Sequence, residues 1–127
     1  MLKAEKIVLR KMSMTLKAPF QTSFGTQTVR NFFLVEVHTG DFVGYGEGVA
    51  SGRPLYSEET VGTAWHILKD FLTPMLFEKG EISHPDEVGQ LFKPIRRNNM
   101  AKASIEGAYW DLYAKQQGIS LAKALAG

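Results

Sequence analysis

The chain has 127 residues, 44% of them hydrophobic, and no cysteine. That is enough for one ordinary domain with its own core, and it excludes a disulfide frame or a thiolate zinc site. The net charge of +2 comes from 15 basic and 13 acidic residues spread along the sequence, without the basic block or aromatic-interleaved stripe of a nucleic-acid surface. No apolar run approaches the ~20 residues a bilayer span needs. The N-terminal stretch MLKAEKIVLRKMSMTL interleaves charges with its apolar residues, so it has no signal-peptide hydrophobic region. The expectation is a soluble cytoplasmic protein with neither nucleic acid nor membrane as a partner.

Residues 3–16 alternate, with Ile7, Leu9, Met12, Met14 and Leu16 on a period of two and a change of phase near Lys11. This predicts a strand with one buried face, interrupted by a bulge. The next stretch, APFQTSFGTQTVRN (18–31), lies between strand-like segments and reads as a loop. It is an unusual one, because it sets Phe20 and Phe24 among Thr22, Ser23 and Gly25. NFFLVEVH (31–38) is a second strand, rich in aromatic and β-branched residues. Gly40 and Asp41 form a turn, and FVGYGEGVA (42–50) reads as a third, glycine-rich strand. Strands in succession with short connections make an antiparallel meander.

The period then becomes helical. Val61, Ala64, Trp65, Leu68 and Leu72 share one face, Ser57 is the expected N-cap, and Glu58 and Glu59 follow in the first turn. Pro74 is expected to stop or kink this helix. A second helix is expected to start at Ser83, with Pro85 in its first turn and Asp86 three residues beyond the cap. The strongest helix begins after Asn98 or Asn99 and runs to Gln117, with Ala101, Ile105, Ala108, Tyr109 and Leu112 on its buried face. Asp111 and Lys115 pair across one turn of it, and Gly118 is the expected residue past its end. SLAKALAG then reads as the start of another helix. The order is α+β, with a core expected around Ile7, Leu9, Val35, Val37, Trp65, Ile105, Tyr109 and Leu112.

Few residues offer chemistry. Gly44, Gly46 and Gly48 lie inside a strand pattern, about ten residues before any helix, so a phosphate cradle gives way to bulges or close backbone approach. Glu47 has no carboxylate partner nearby in sequence. His38, His66 and His84 lie on three different elements without metal-ligand spacing. Ser23 fits no nucleophile elbow. Asp111, inside YWDLY, reads as a satisfied structural aspartate before a catalytic one. The chain therefore has a core and a decorated loop, and no catalytic or metal-ligating set of its own.

Three segments, APFQTSFGTQTVRN, GYGEGVASGRPLYSEET and AKASIEGAYWDLYAKQQGISLAKALAG, resemble in this order the N-terminal domain of the enolase superfamily. The resemblance runs over essentially the whole chain. It is nearest to the o-succinylbenzoate synthases and N-acylamino acid (N-succinylamino acid) racemases, through the PFxTSFG core and PLYSEET. The A-x-W-D-L helix is shared more widely, with muconate lactonizing enzymes and mandelate racemases.

The resemblance implies a three-stranded antiparallel meander followed by a helical bundle, with 1–127 forming one capping domain. Residues from about 119 to 127 would lead toward a (β/α) barrel that this chain lacks; such a barrel needs about 250 residues. The chain would then be an N-terminal piece of a longer enzyme, its partner domain the protein's own barrel and its full-length form a homo-oligomer. The catalytic lysine pair and the carboxylates that bind Mg²⁺ would lie on that barrel. The cap would contribute two substrate-side segments, one from about 17 to 30 and one from about 49 to 57. On them Phe20, Thr22, Ser23, Phe24, Ser51 and Tyr56 are the implied substrate-binding residues. The parent enzyme would abstract a proton α to a carboxylate on a small carboxylate substrate. It would then either eliminate water, as in menaquinone biosynthesis, or racemise an N-acylamino acid. A cap of another family member (a dipeptide epimerase or a cycloisomerase) and a stand-alone binding module are the alternatives. On spacing alone Phe20 and Phe24 could equally plug the cap's own core; the resemblance favours the substrate wall over that plug.

Overall fold

In the computed structural model, residues 2–22, 25–49 and 60–126 are described, without the side chains of residues 13–22, 25–31, 49 and 61. Strands β1 (Lys6–Thr22), β2 (Gly25–Thr39) and β3 (Phe42–Val49) form one antiparallel sheet in the order β1-β2-β3. The turn into β3 uses Gly40 at φ +54°, a conformation that costs glycine little. The meander is as expected, but its first hairpin is much longer.

Residues 18–31 are mostly strand and not loop: Phe20 pairs with Gln27, Gln21 with Thr26 and Thr22 with Gly25. Thr22, Thr26, Thr28 and Val29 are β-branched, and this local preference carries the hairpin on beyond the apolar alternation. No bulge occurs at Lys11, since the register runs unbroken from Lys6↔His38 to Thr15↔Val29. The irregularity lies between Thr15 and Phe20, where β1 advances five residues while β2 advances two, from Val29 to Gln27. Pro19, which has no N–H to give a ladder, sits inside it. The apparent phase change came from Met12, which is 43% exposed on the outer face beside Arg10.

The helices are α1 (Val61–Ile67), α2 (Thr73–Lys79), α3 (Asp86–Leu91), α4 (Asn99–Gln117) and α5 (Leu121–Ala126). Ser57 is not the cap of α1, nor do Glu58 and Glu59 fall in its first turn. Thr60 and Thr63 form a reciprocal capping box instead: Thr63 N–H donates to Thr60 Oγ1 at 3.1 Å and Thr60 N–H to Thr63 Oγ1 at 2.8 Å. Pro74 does not stop the helix either. A π-helical stretch, Leu68–Leu72, joins α1 to α2 and passes the chain through the proline. The wider turn resets the hydrogen-bond register just before the residue that cannot donate.

Ser83 does not cap α3, whose N-cap position is Pro85. Glu87 reaches back from inside the helix, and its Oε2 accepts from the N–H groups of Ser83 and His84, the latter at 2.9 Å. Helix α4 has the expected bounds and ends on Gly118 in the left-handed conformation.

The helices cover the sheet face that carries Phe33, Val35 and Val37, all fully buried. Ile105, Tyr109 and Leu112 are fully buried as expected, and Ile7 and Leu9 are partly buried against them. Trp65 is not in the core: it is half-buried, with the Lys11 ammonium 4.7 Å over its ring. Leu2, Leu68, Leu72, Leu76, Ile82 and Phe92 are also in the core.

Candidate functional site at one end of the sheet

The ladder determines where the two segments that the resemblance assigns to the substrate side leave the sheet. Val49, the last residue of β3, pairs with Phe32 of β2, and Phe32 pairs in turn with Met12 of β1. Among the described residues, beyond that row the sheet continues as the paired ends of β1 and β2, up to Thr22 and Gly25. The hairpin extension and the exit of β3 toward residues 50–59 therefore occur at the same end of the sheet. Phe20 and Thr22 have their backbones in that extension. Their side chains, and Ser23, Phe24, Ser51 and Tyr56 altogether, lie outside the described residues.

What holds the exit of β3 is well described. Gly44, Gly46 and Gly48 fall on the helix-facing side, opposite Val37, Val35 and Phe33. A Cβ on Gly46 would come 1.8 Å from the Ser104 carbonyl oxygen, and one on Gly44 2.1 Å from that of Ala108. One on Gly48 would enter the Phe33 ring, 1.9 Å from its Cζ. Close approach, not a phosphate cradle or a bulge, is what the glycine repeat provides. Helix α4 runs antiparallel to β3 along this seam, since Gly46 meets Ser104 and Gly44 meets Ala108 and Leu112.

The outer edge of β3 is closed by the pair one turn apart on α4. Asp111 Oδ2 accepts the Tyr45 N–H at 2.8 Å, and Lys115 Nζ donates to the Val43 carbonyl at 2.7 Å. The two side chains meet each other at 2.9 Å, and the ammonium sits 4.7 Å over the Tyr45 ring. Asp111 is thus a structural aspartate, bonded to strand backbone. Sequence periodicity shows the pair but not its target, because the β3 edge lies 66 residues away from Asp111.

The sheet's outer face carries a second polar group. Arg10 Nε donates to Glu36 Oε2 at 2.7 Å, and His38 Nε2 lies 3.1 Å from Glu36 Oε1. The Arg10 hydrogen bond holds the Glu36 carboxyl below the usual carboxylate range, with the His38 hydrogen bond adding to it against partial burial. In the core, burial pushes the Tyr109 phenol up to about 12, and its hydroxyl has no hydrogen-bond partner among the described residues. Among the described residues no group of His, Cys, Asp or Glu could hold a metal ion, and no helix is long and apolar enough to cross a membrane.

Residues 4–126 match the mandelate racemase / muconate lactonizing enzyme N-terminal domain family. The chain belongs to this family, the N-terminal domain of the enolase superfamily. Among its relatives, an o-succinylbenzoate synthase of Geobacillus kaustophilus is 56% identical over 97% of this chain and 33% of its own length. An N-succinylamino acid racemase of Thermus thermophilus is 37% identical over 99% of this chain and 34% of its own. A crystal structure of an enolase superfamily member from Listeria innocua superposes with a TM-score of 0.91 at 39% identity, covering 97% of this chain and 33% of that one. The chain thus spans about a third of the length of these relatives, their N-terminal third.

Proposed function

We propose that this domain caps the active site of an o-succinylbenzoate synthase and lines the substrate side through residues 17–30 and 49–57. The observation that carries the reading is the 56% identity to such a synthase over nearly the whole chain. The common end of the sheet supports it, because one barrel mouth placed there would meet both segments. Racemisation of an N-succinylamino acid is the second reading, favoured by the Thermus relative. Both begin by removing a proton α to a carboxylate.

The cap's part in such chemistry is to exclude water and to position the substrate. Phe20 and Phe24 would supply apolar wall, and Thr22, Ser23, Ser51 and Tyr56 adaptable hydrogen bonds. The acid and base groups and the Mg²⁺ ligands are expected on the barrel. Since the described residues offer no metal site, no step is assigned to a metal held by this domain. The enzyme is expected to be a cytoplasmic homo-oligomer.

The test uses the full-length enzyme with Mg²⁺, assayed both for dehydration and for α-proton exchange of N-succinylamino acids. Phe20→Ala and Phe24→Ala should each lower kcat/KM by about tenfold or more while leaving the thermal midpoint nearly unchanged. A plug for the cap's own core predicts the reverse, lost stability with intact kinetics. Unchanged kcat/KM in both variants removes the hairpin end from the active site.

A further inference from the structure

We propose that the leucine face of α5, Leu121 with Leu125, is a docking surface for the C-terminal domain of the same chain. The inference rests on the family and on the length of its members, and it holds whichever reaction the enzyme performs. Helix α5 has six residues; it packs on α4, and only its Ala124 is buried. The Lys123 N–H donates to Ser120 Oγ at 3.1 Å, which caps the first turn. A cap and one buried methyl group are little to hold so short an element, since isolated helices below about 12–15 residues are marginal in water. Yet Leu121 is 41% exposed and Leu125 58%, the latter the most exposed large hydrophobic residue among those described. Four residues apart, the two leucines share one side of the helix, and Lys123 lies on the other.

The occupant follows from the place of α5 in the chain. The family match runs to residue 126, the last residue of the helix. The domain spans 33% of its Geobacillus relative, so about two-thirds of such a protein follows this point. That remainder starts beside the leucines, and a tethered domain is present at an effective concentration that no separate molecule matches. Area argues against a second copy. A stable interface between separate molecules buries about 800 Å² on each partner, far more than two leucine side chains supply. One anchor of a contact already joined by the chain needs less. The facing surface has to be apolar, because a polar group buried on leucine would lose its hydrogen bonds to water.

The test places a photoreactive benzophenone side chain at Leu125, at Leu121 or, as control, at Lys123 of the full-length enzyme, and maps the products by mass spectrometry. From either leucine position, cross-links should run within one chain to peptides beyond residue 127, in clear excess over those from the Lys123 position. Products that join two chains overturn the proposal in favour of a second copy. Yields no higher than at Lys123 overturn it as well, because the face is then open. The Leu121 position decides the matter if the Leu125 variant does not fold. As an independent check, Leu125→Ala should lower the thermal midpoint by about 2–4 °C and speed amide exchange across Leu121–Ala126, while Lys123→Ala changes neither. A Leu125→Ala enzyme with midpoint and exchange both unmoved overturns the docking. None of these readouts is activity, so failure of the proposed reaction would leave this inference standing.

Discussion

Along β3 the sheet meets its helices through backbone, whereas along β1 it meets them through side chains. On the β3 flank, glycines lie against the carbonyls of Ser104 and Ala108, and polar side chains secure the edge. On the β1 flank, Ile7 and Leu9 are partly buried against the core and Lys11 covers Trp65. The two flanks tolerate change differently. Side chains can repack, but a helix backbone pressed on a strand backbone has nothing to move aside.

The sharpest way to break this comparison is a single methyl group. Gly46→Ala sets a Cβ 1.8 Å from one backbone oxygen and 2.8 Å from the Ala108 nitrogen, so α4 itself has to move. A loss of about 4 kcal/mol or more is expected, at the severe end of single substitutions. Leu9→Ala on the other flank removes far more atoms from a half-buried position, yet should cost only about 2 kcal/mol. Urea denaturation of both variants decides it. A Gly46→Ala variant as stable as Leu9→Ala would mean that the seam has slack.

Ile105 tests the helical face between the flanks. It is fully buried on α4, and Ile105→Ala should cost about 2–5 kcal/mol, more than Leu9→Ala. An unchanged denaturation midpoint would place Ile105 outside the core.

These contrasts explain what the sequence disclosed. The face of α4 was legible because its apolar residues recur at helical spacing and nothing competes with that period. The meander was legible from alternation and from the Gly40–Asp41 turn. The hairpin beyond Lys17 was not, because Pro19, Ser23 and Gly25 signal a loop while the β-branched residues around them pair as strand. The cap is Thr60 and not Ser57, and its reciprocal bonds with Thr63 satisfy the first turn of α1. Of the site, the family could be read from its motifs, and the glycines' role was already among the alternatives. Lys115 could be read as a partner of Asp111 but the Tyr45 N–H could not, since an edge-strand amide leaves no mark in sequence. Ser23, Phe24, Ser51 and Tyr56, the residues proposed for the substrate side, fall outside the described residues, and the proposal for them rests on the family.

The core also contains a polar exception to its packing. Tyr109 is fully buried, and its hydroxyl lacks a partner among the described residues. Burial raises the folded phenol to about 12, above an unfolded value of about 10. Its contribution is therefore fully present below the unfolded value and is lost as pH rises toward about 12. Tyr109→Phe should remove that alkaline loss and gain about 1 kcal/mol at neutral pH, because an unsatisfied buried hydroxyl disappears. Absorbance at alkaline pH gives the check: in the wild type, ionisation of Tyr109 should coincide with unfolding. A destabilised Tyr109→Phe would show that the hydroxyl has a partner after all.

The smallest effect is expected on the outer face, at the carboxylate that Arg10 and His38 share. Glu36 has its folded value below the ordinary range, so its stabilisation is full above the unfolded value of about 4.3. It is lost as pH falls through the lower, folded value. Arg10 is mostly exposed, with a side chain 56% accessible, so solvent screens the pair and its net worth is small. Glu36→Gln should leave stability at pH 7 close to that of the wild type and flatten the decline below about pH 4. Added salt should shrink the difference further, since exposed pairs are screened over about 10 Å at 0.1 M. Paired denaturation curves at pH 7 and pH 3, each at two ionic strengths, separate the outcomes. An acid limb that Glu36→Gln leaves as steep as before would assign it to other carboxylates, and Glu87 comes next: hydrogen bonds from the His84 and Ser83 backbone hold it below its ordinary value, in that order.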